Sequence, residues 1–250
     1  MLRAGAARAP GPGHLHGRLR GLGAAGRRAG GGMGRPGSSS SGQGEGGGLA
    51  VEAEERVYRR YLEVRDRTVR HPGAEHRTVS YDLVGHPPGY GYALVFPFHT
   101  ATREVTLVRE WCQAPNAFMW GLPGGCYEPG KHATLEAAAR DELSEEAHLT
   151  GGEWHRLLGT QGGLHETKWC LNQMHPFLCI DPVVDAAPGE RDAEELLEAS
   201  RVPLARLRDL LLAGQLLLPS MGAVALALHR LRELGHLAGD AEGGGAGLLL

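Results

Sequence analysis

The sequence has few cysteines and no long apolar run, and each shortage excludes a class of protein. No two of its four cysteines form a C-x-x-C pair, which argues against a zinc ribbon or a dithiol redox motif. We therefore expect ordinary thiols in a reducing compartment and no disulfide framework. No stretch approaches the roughly twenty apolar residues that span a bilayer, so we expect a soluble chain with no membrane partner.

Acidic residues, lysine and aromatic residues are all missing from residues 1–44. The same stretch has seven arginines in a background of glycine and alanine: Arg3, Arg8, Arg18, Arg20, Arg27, Arg28 and Arg35. An arginine-rich leader without acids is typical of a transit peptide for a chloroplast or a mitochondrion. A disordered glycine-rich extension explains it equally well, and the chain would then be cytoplasmic. Because the arginines have no aromatic neighbours to stack on bases, we expect no nucleic-acid partner.

The rest of the chain is acidic and has the composition of a folded domain. After residue 44 there are 19 basic against 29 acidic residues, and 42% of the whole sequence is apolar, which is ample for a core. We assign residues 1–50 to the leader, 51–238 to one domain and 239–250 to a disordered tail. The domain is predicted to begin with a helix over 51–69, where Tyr58 and Leu62 belong to a partial apolar stripe among many charges.

Strand and helix patterns alternate along the domain. Short runs rich in β-branched and aromatic residues predict strands over 77–84, 92–98, 105–110, 153–158 and 169–180. Two leucine-rich segments, 203–213 and 220–234, each end at a glycine and predict helices. This order predicts a mixed α/β domain.

A glycine-rich turn leads into an acidic helix at the centre of the domain. The turn contains Gly124 and Gly125, where backbone is able to come close to a ligand. Helical periodicity starts at Thr134, and apolar residues then recur every four positions: Leu135, Ala139, Leu143 and Ala147. An ordinary surface helix does not need a glycine-rich turn before it, so the combination favours a functional role for this helix.

Three glutamates on this helix are candidate metal ligands. Glu142, Glu145 and Glu146 stand at i, i+3 and i+4, so they project into one sector of the helix surface. Their mutual repulsion would be relieved by a hard, oxygen-preferring cation such as Mg²⁺ or Mn²⁺. The alternative is a solvated acidic face with no ligand.

The same residues resemble the signature of the Nudix hydrolase family, G-x5-E-x7-R-E-U-x-E-E-x-G-U, where U is aliphatic. Gly125 fits the opening glycine, and residues 142–146 fit E-U-x-E-E. Elsewhere the chain departs from the signature. Lys131 stands where the family has glutamate, Asp141 where it has arginine and His148 where it has glycine, and two residues are inserted before Glu142. In the family, the altered glutamate and arginine brace the loop through an ion pair.

The resemblance implies a fold, an activity and a cofactor. The fold would be the Nudix-type α/β/α sandwich with a mixed sheet. The activity would be Mg²⁺- or Mn²⁺-dependent hydrolysis of the pyrophosphate bond in a nucleoside diphosphate derivative such as ADP-ribose or an ADP-sugar. Glu142, Glu145 and Glu146 would hold the metal, and Glu145 and Glu146 would take part in catalysis. A degenerate domain that binds a nucleotide or a protein without turnover is the second interpretation, and a purely structural subunit is the third.

The strand before the turn supplies candidates for nucleotide binding. Residues 107–125 resemble the approach to the active site in the ADP-ribose pyrophosphatase branch of the family. Arg109 is able to contact a phosphate, and Trp111 or Trp120 is able to stack on a purine. The alternatives are a surface salt bridge for Arg109 and a core or subunit interface for each tryptophan. Backbone N–H groups at Gly124 and Gly125 would help to orient the phosphates.

The resemblance also implies one further acid outside the helix. Nudix enzymes commonly place there a glutamate that serves as a base or as an extra metal ligand. Glu166 is one candidate, and the pair Glu194 and Glu195 is the other. The expected partner is a small nucleotide, and the sequence leaves open whether the chain forms a homodimer.

Overall fold

The computed structural model describes residues 48–72, 77–87, 89–159, 162–192 and 195–237. Residues 1–47 of the predicted leader, the tail over 239–250 and the candidate acid Glu194 lie outside these residues, so their roles stay predictions. Within the described part, no helix is long and apolar enough to cross a membrane.

The described chain begins with a three-stranded antiparallel sheet, so the predicted helix over 51–69 is wrong. Strands β1 (Ala50–Arg59), β2 (Glu63–Arg70) and β3 (Thr78–Gly85) pair in that order. Every residue of β1 is exposed, so its aromatic and aliphatic side chains form no buried helical stripe. The strands are joined instead by contacts between residues far apart in sequence, such as Arg67 Nε to Glu54 Oε2 at 2.5 Å, which local periodicity does not reveal.

A larger mixed sheet and three helices follow. In chain order they are β4 (Gly91–His99), β5 (Glu104–Cys112), β6 (Ala117–Gly121), β7 (Gly124–Cys126), α1 (Leu135–Ala147), β8 (Leu149–Thr150), β9 (Glu153–Arg156), β10 (Leu164–His165), β11 (Gln173–Ile180), β12 (Val183–Val184), β13 (Leu197–Pro203), α2 (Leu204–Leu212) and α3 (Leu218–Glu233). The sheet runs β10-β11-β4-β5-β13, with β6, β7 and β9 paired onto it, while β8 and β12 form a separate pair. Strand β11 is parallel to β4, and the other pairings in this sheet are antiparallel.

The helices cover both faces of this sheet, because successive side chains of a strand point to opposite faces. On β4, Ala93 and Val95 pack with residues of α1 such as Leu143. Phe96 belongs to the second apolar cluster, which includes Leu210 of α2 and residues of α3. Both faces of β4 are therefore buried, as a near-continuous apolar strand requires. The predicted α/β/α sandwich with a mixed sheet is confirmed.

Most other predicted elements are observed with shifted ends. Strands β3, β4, β5 and β9 and helices α2 and α3 lie where the patterns placed them. The strand predicted over 169–180 begins only at Gln173. Helix α1 begins one residue after Thr134, whose hydroxyl accepts the N–H of Ala137 at 3.0 Å, a standard N-cap.

Candidate active site

The glycine turn lies directly against α1 and β4. A Cβ atom on Gly124 would come within 2.2 Å of the carbonyl oxygen of Ala93, and one on Gly125 within 2.1 Å of Glu142 Oε1. Gly124 therefore requires glycine, because the atom that a side chain would meet is backbone, whereas a side chain at Gly125 would displace the flexible Glu142 carboxylate. The Gly124 N–H donates to Glu146 Oε2 at 2.8 Å. That N–H orients a carboxylate of α1, and the expected role of the Gly124 and Gly125 N–H groups toward a phosphate stays a prediction.

Burial and mutual repulsion raise the pKa values of two α1 glutamates. Glu146 is only 5% exposed, and burial, followed by the charge of Glu142, raises its pKa well above the ordinary value. Burial, then the charges of Glu145 and Glu195, raise the pKa of Glu142 to about 8. Lys131 lies 3.4 Å from Glu145 Oε1 and offsets the repulsion only in part. The positive charge beside these carboxylates is therefore too small to neutralise them.

The donor set fits a hard divalent cation. Carboxylate oxygens are the ligands that Mg²⁺ and Mn²⁺ prefer. The three α1 carboxylates lie close together, since the charge of Glu145 raises the pKa of Glu142 and the charge of Glu142 raises the pKa of Glu146. Within the described ranges, however, no three carboxylate, imidazole or thiol groups are already gathered around one point. The protein would therefore supply part of a coordination shell, which is how Mg²⁺ is usually held.

The altered signature positions make different contacts from those of the family's Glu-Arg brace. Lys131, at the glutamate position, reaches Glu145. Asp141, at the arginine position, has its Oδ2 3.5 Å from Nε2 of the buried His132. His132 Nδ1 accepts the Glu128 N–H at 3.1 Å, so in a neutral ring the proton lies on Nε2 and faces Asp141. A histidine-aspartate contact thus lies near the position of the family's ion pair.

The remaining altered residues also have defined positions. His148 takes the place of the family's glycine and adopts φ 52°, a left-handed conformation, as the C-cap of α1. Arg140, displaced by one position from the signature arginine, pairs with Glu136 at 2.7 Å and lies over the Trp154 ring at 4.3 Å. Arg140 therefore stabilises the surface of α1 and does not brace the turn.

A cavity of about 350 Å³ opens beside Glu146. Strands β4 and β5, the glycine turn and the start of α3 enclose it, and three carboxylates line it: Glu110, Glu146 and Glu166. None of the described residues that line it is arginine, lysine or histidine. A second cavity of about 270 Å³ shares Glu166, Met174 and Pro219 with the first. These three residues, of which Glu166 alone is acidic, therefore lie at the boundary between the two spaces.

Both described candidates for the further acid lie near the α1 glutamates. Glu166 accepts a hydrogen bond from Asn172 Nδ2 at 3.3 Å and one from the Cys170 thiol at 3.2 Å. Glu195 does not line either cavity, but its charge raises the pKa values of Glu142 and Glu146. Burial, then Asp192, Glu110 and Glu145, raise the pKa of Glu195 itself.

Arg109 and Trp111 do not line the cavity. Arg109 lies over the Phe118 ring at 5.0 Å and forms an exposed ion pair with Glu198 at 3.4 Å, and Trp111 is exposed. Alternation along β5 explains this placement, because the residues between and beyond them, Glu110 and Cys112, are the ones that line the cavity. The surface salt bridge that was the alternative for Arg109 is what the structure contains.

Two residues of the site were missed in the sequence. Period-two alternation along the predicted strand 105–110 would have shown that Glu110 and Arg109 point to opposite faces. Arg191 donates to backbone carbonyl groups at the end of α1, and no local pattern marks it, because its partners lie about 45 residues earlier.

Comparisons with known proteins agree with this geometry. A family model described as the NUDIX domain matches residues 90–217, slightly more than half of the chain. A solved structure described as the crystal structure of an ADP compounds hydrolase aligns with a TM-score of 0.60 at 20% sequence identity, over 76% of this chain and 97% of that chain. At that identity the likeness shows the fold. A search of curated proteins found no match. The glycine turn, the α1 carboxylates and the family match together show that this chain belongs to the Nudix family.

Proposed function

We propose that this chain hydrolyses the pyrophosphate bond of a nucleoside diphosphate derivative with the help of Mg²⁺ or Mn²⁺. The proposal depends on one observation. The α1 carboxylates, whose negative charge is only partly offset, lie against the glycine turn, and one of them, Glu146, lines a cavity. A surface helix with a solvated acidic face would have neither the burial of Glu146 nor the contact with Gly124.

The α1 residues prepare the site for a cation. When bound, a divalent metal neutralises phosphate charge and acidifies a bound water. Glu142, Glu145 and Glu146 would hold it, and the Gly124 N–H fixes one oxygen of Glu146 in place. Because no described cavity-lining residue is cationic, the diphosphate has no side-chain counter-charge of its own there.

The proton of the attacking water needs an acceptor near the phosphorus. Glu166 is favoured by position, since it lies where the two cavities meet. Glu195 is favoured by electrostatics, since its charge raises the pKa values of Glu142 and Glu146. We assign the base to Glu166 and a supporting role in metal binding to Glu195. The variant Glu166→Gln should then lower kcat, and Glu195→Gln should mainly raise the metal concentration needed for half-maximal rate.

We take ADP-ribose and ADP-sugars as the substrates to test first. The structural neighbour is described as an ADP compounds hydrolase, and two cavities that meet at one glutamate would suit a molecule with a group on each side of a diphosphate. Tyr92 and Asn172 line the larger cavity and are able to contact a base or a sugar.

The first experiment is turnover of a panel of nucleoside diphosphate derivatives with Mg²⁺ and with Mn²⁺, detecting phosphate after phosphatase coupling. We expect Glu146→Gln to lower turnover by at least about a hundredfold, as loss of a metal ligand should cost no less than loss of an outer-shell partner. Glu136→Gln on the exposed first turn of α1 is the matched control and should retain full activity. Equal activity of the wild type and Glu146→Gln would rule out this mechanism.

A binding module without catalysis remains the second candidate, because Lys131 holds Glu145 in an ion pair at 3.4 Å. That contact would compete with metal binding at Glu145. Calorimetric titration with ADP-ribose and Mg²⁺, followed by analysis for AMP, distinguishes the two functions. Binding without AMP formation supports the module.

Homodimer formation also stays a prediction. Strand β1 is at the edge of its sheet and all ten of its residues are exposed. An open edge of this length favours pairing with another strand. Sedimentation equilibrium measures the assembly state directly.

A further inference from the structure

The segment from Asp185 to Asp192, which we term the strap, runs along the last turns of α1. The Asp185 N–H donates to the carbonyl oxygen of His148 at 2.9 Å. Ser144 connects the two elements, because its hydroxyl donates to Asp185 Oδ2 at 2.8 Å and accepts the Gly189 N–H at 3.0 Å. Ser144 occupies the unspecified x position of the E-U-x-E-E segment, and its hydroxyl contacts the strap.

The strap also packs against one of the glutamates. A Cβ atom on Gly189 would lie 2.5 Å from Cγ of Glu145. The strap therefore approaches the stem of the Glu145 side chain as closely as backbone permits, and any larger residue at this position would displace one of the two.

Arg191 ends the strap with three hydrogen bonds to backbone carbonyl groups. Its Nε donates to Glu145 O at 3.1 Å, and its Nη2 donates to Glu146 O at 2.9 Å. Its Nη1 donates to Leu197 O at 3.2 Å, where β13 begins. One planar guanidinium thus joins the backbone of two glutamates to the strand that follows Glu195.

The position of Arg191 at the C-terminal end of α1 is electrostatically favourable. The last carbonyl groups of a helix lack partners within it and carry partial negative charge. Helix α1 has no basic residue in its own last turn, so Arg191 supplies the cation from another segment. A guanidinium suits the task better than an ammonium, because its fork of N–H groups is rigid and reaches several acceptors at once.

Resting on the proposed function, we propose that Arg191 is a positioning residue for the catalytic carboxylates. It sets the Glu145 and Glu146 backbone relative to the strand that follows Glu195. Arg191 touches no substrate, and it acts through the residues whose carbonyl groups it holds.

The test compares Arg191→Met and Arg191→Lys with Arg208→Met, an exposed arginine on α2. Binding of Mn²⁺ alone is titrated by electron paramagnetic resonance, and kcat and KM are measured with the best substrate of the panel. We expect Arg191→Met to weaken Mn²⁺ binding and to lower kcat by roughly 10- to 100-fold, the usual loss for an outer-shell partner. KM should change little. Arg191→Lys retains the charge but not the fork, so it should recover only part of both losses, and Arg208→Met should match the wild type.

Two results would overturn the assignment of Arg191. One is unchanged Mn²⁺ affinity and kcat in Arg191→Met. The other is a lower melting temperature with Mn²⁺ affinity and kcat preserved well below that temperature, which is what a purely structural role predicts. A wild-type protein that neither binds Mn²⁺ nor turns over any member of the panel would instead contradict the proposed function, so the two failures are distinguishable.

Discussion

Acidic side chains in the N-terminal sheet and on α1 are in opposite electrostatic states. In the sheet, a hydrogen bond from Tyr90, with further contacts from Arg65, lowers the pKa of the buried Glu63. On α1, burial and neighbouring carboxylates raise the pKa values of Glu142 and Glu146. Both regions place carboxylates where water is scarce. The sheet pairs Glu63 with Arg65, whereas on α1 Lys131 offsets the repulsion only in part.

The difference separates charge that stabilises the fold from charge that is kept for a ligand. A buried carboxylate with its partners in place favours the folded state, whereas a cluster of unpaired carboxylates costs stability until a cation binds. The sheet should therefore respond to substitution in its unfolding free energy, and the α1 site should respond in its activity.

The largest effect is expected at Gly125. The variant Gly125→Ala would bring a methyl group within 2.1 Å of Glu142 Oε1, and the flexible carboxylate has to move away. We expect turnover to fall by at least about a hundredfold, because Glu142, a proposed metal ligand, is then displaced. The melting temperature should change little. Steady-state kinetics and calorimetric unfolding measure the two quantities.

Two other glycines serve as controls for this prediction. At Gly130 nothing lies within 4 Å of an added Cβ, so Gly130→Ala should preserve both activity and stability. At Gly124 the added Cβ would meet the backbone oxygen of Ala93 at 2.2 Å, so Gly124→Ala should destabilise the fold itself. A Gly125→Ala protein with normal turnover would show that Glu142 does not need its observed position.

The two regions also differ in how much could be predicted from sequence. The turn and α1 were predictable because their signals are local: Gly125 precedes an i, i+3, i+4 set of glutamates, and Thr134 caps the helix. The family and the mixed α/β fold followed from those residues and are confirmed. The positions of Glu166 and Glu195 relative to the α1 carboxylates depend on loops that no local pattern orients, and Arg191 has partners about 45 residues away.

The N-terminal sheet was mispredicted for the same reason. Tyr58 and Leu62 occur at helical spacing, yet both are exposed, so their spacing reports no buried face. The strands are held by partners such as Arg65 and Glu54, which are 11 residues apart in sequence. Cross-strand pairs of this kind outweigh weak local preferences.

A smaller effect, on stability alone, is expected at Glu63. This carboxylate is 1% exposed, accepts a hydrogen bond from the Tyr90 hydroxyl and lies 2.6 Å from Arg65 Nε. Replacing it by glutamine removes the charge from a buried pair, so Glu63→Gln should lower the unfolding free energy by about 1–3 kcal/mol. Denaturant unfolding measures the loss, and turnover per folded molecule should stay unchanged.

The pH dependence of that loss has a defined sign. Because the folded state lowers the pKa of Glu63, its contribution is fully present above the ordinary glutamate pKa of about 4.3 and disappears as pH falls through the folded value. The difference between the wild type and Glu63→Gln should thus be constant from about pH 6 to 8 and should shrink in acid. A difference that grows in acid would contradict the assignment.

The smallest effect is expected for the exposed ion pair of Glu54 and Arg67. This pair tests whether burial determines how much an ion pair contributes to the unfolding free energy. Their contact of 2.5 Å is shorter than that of Lys131 with Glu145 at 3.4 Å, but both side chains are partly open to solvent, and exposed pairs contribute about 0.2–1 kcal/mol. A double-mutant cycle with Glu54→Ala and Arg67→Ala, repeated at about 1 M salt where the Debye length is about 3 Å, should give a coupling in that range that salt reduces. A coupling as large as the loss at Glu63, or one that salt leaves unchanged, would mean that strand geometry and not burial determines which charges hold this sheet.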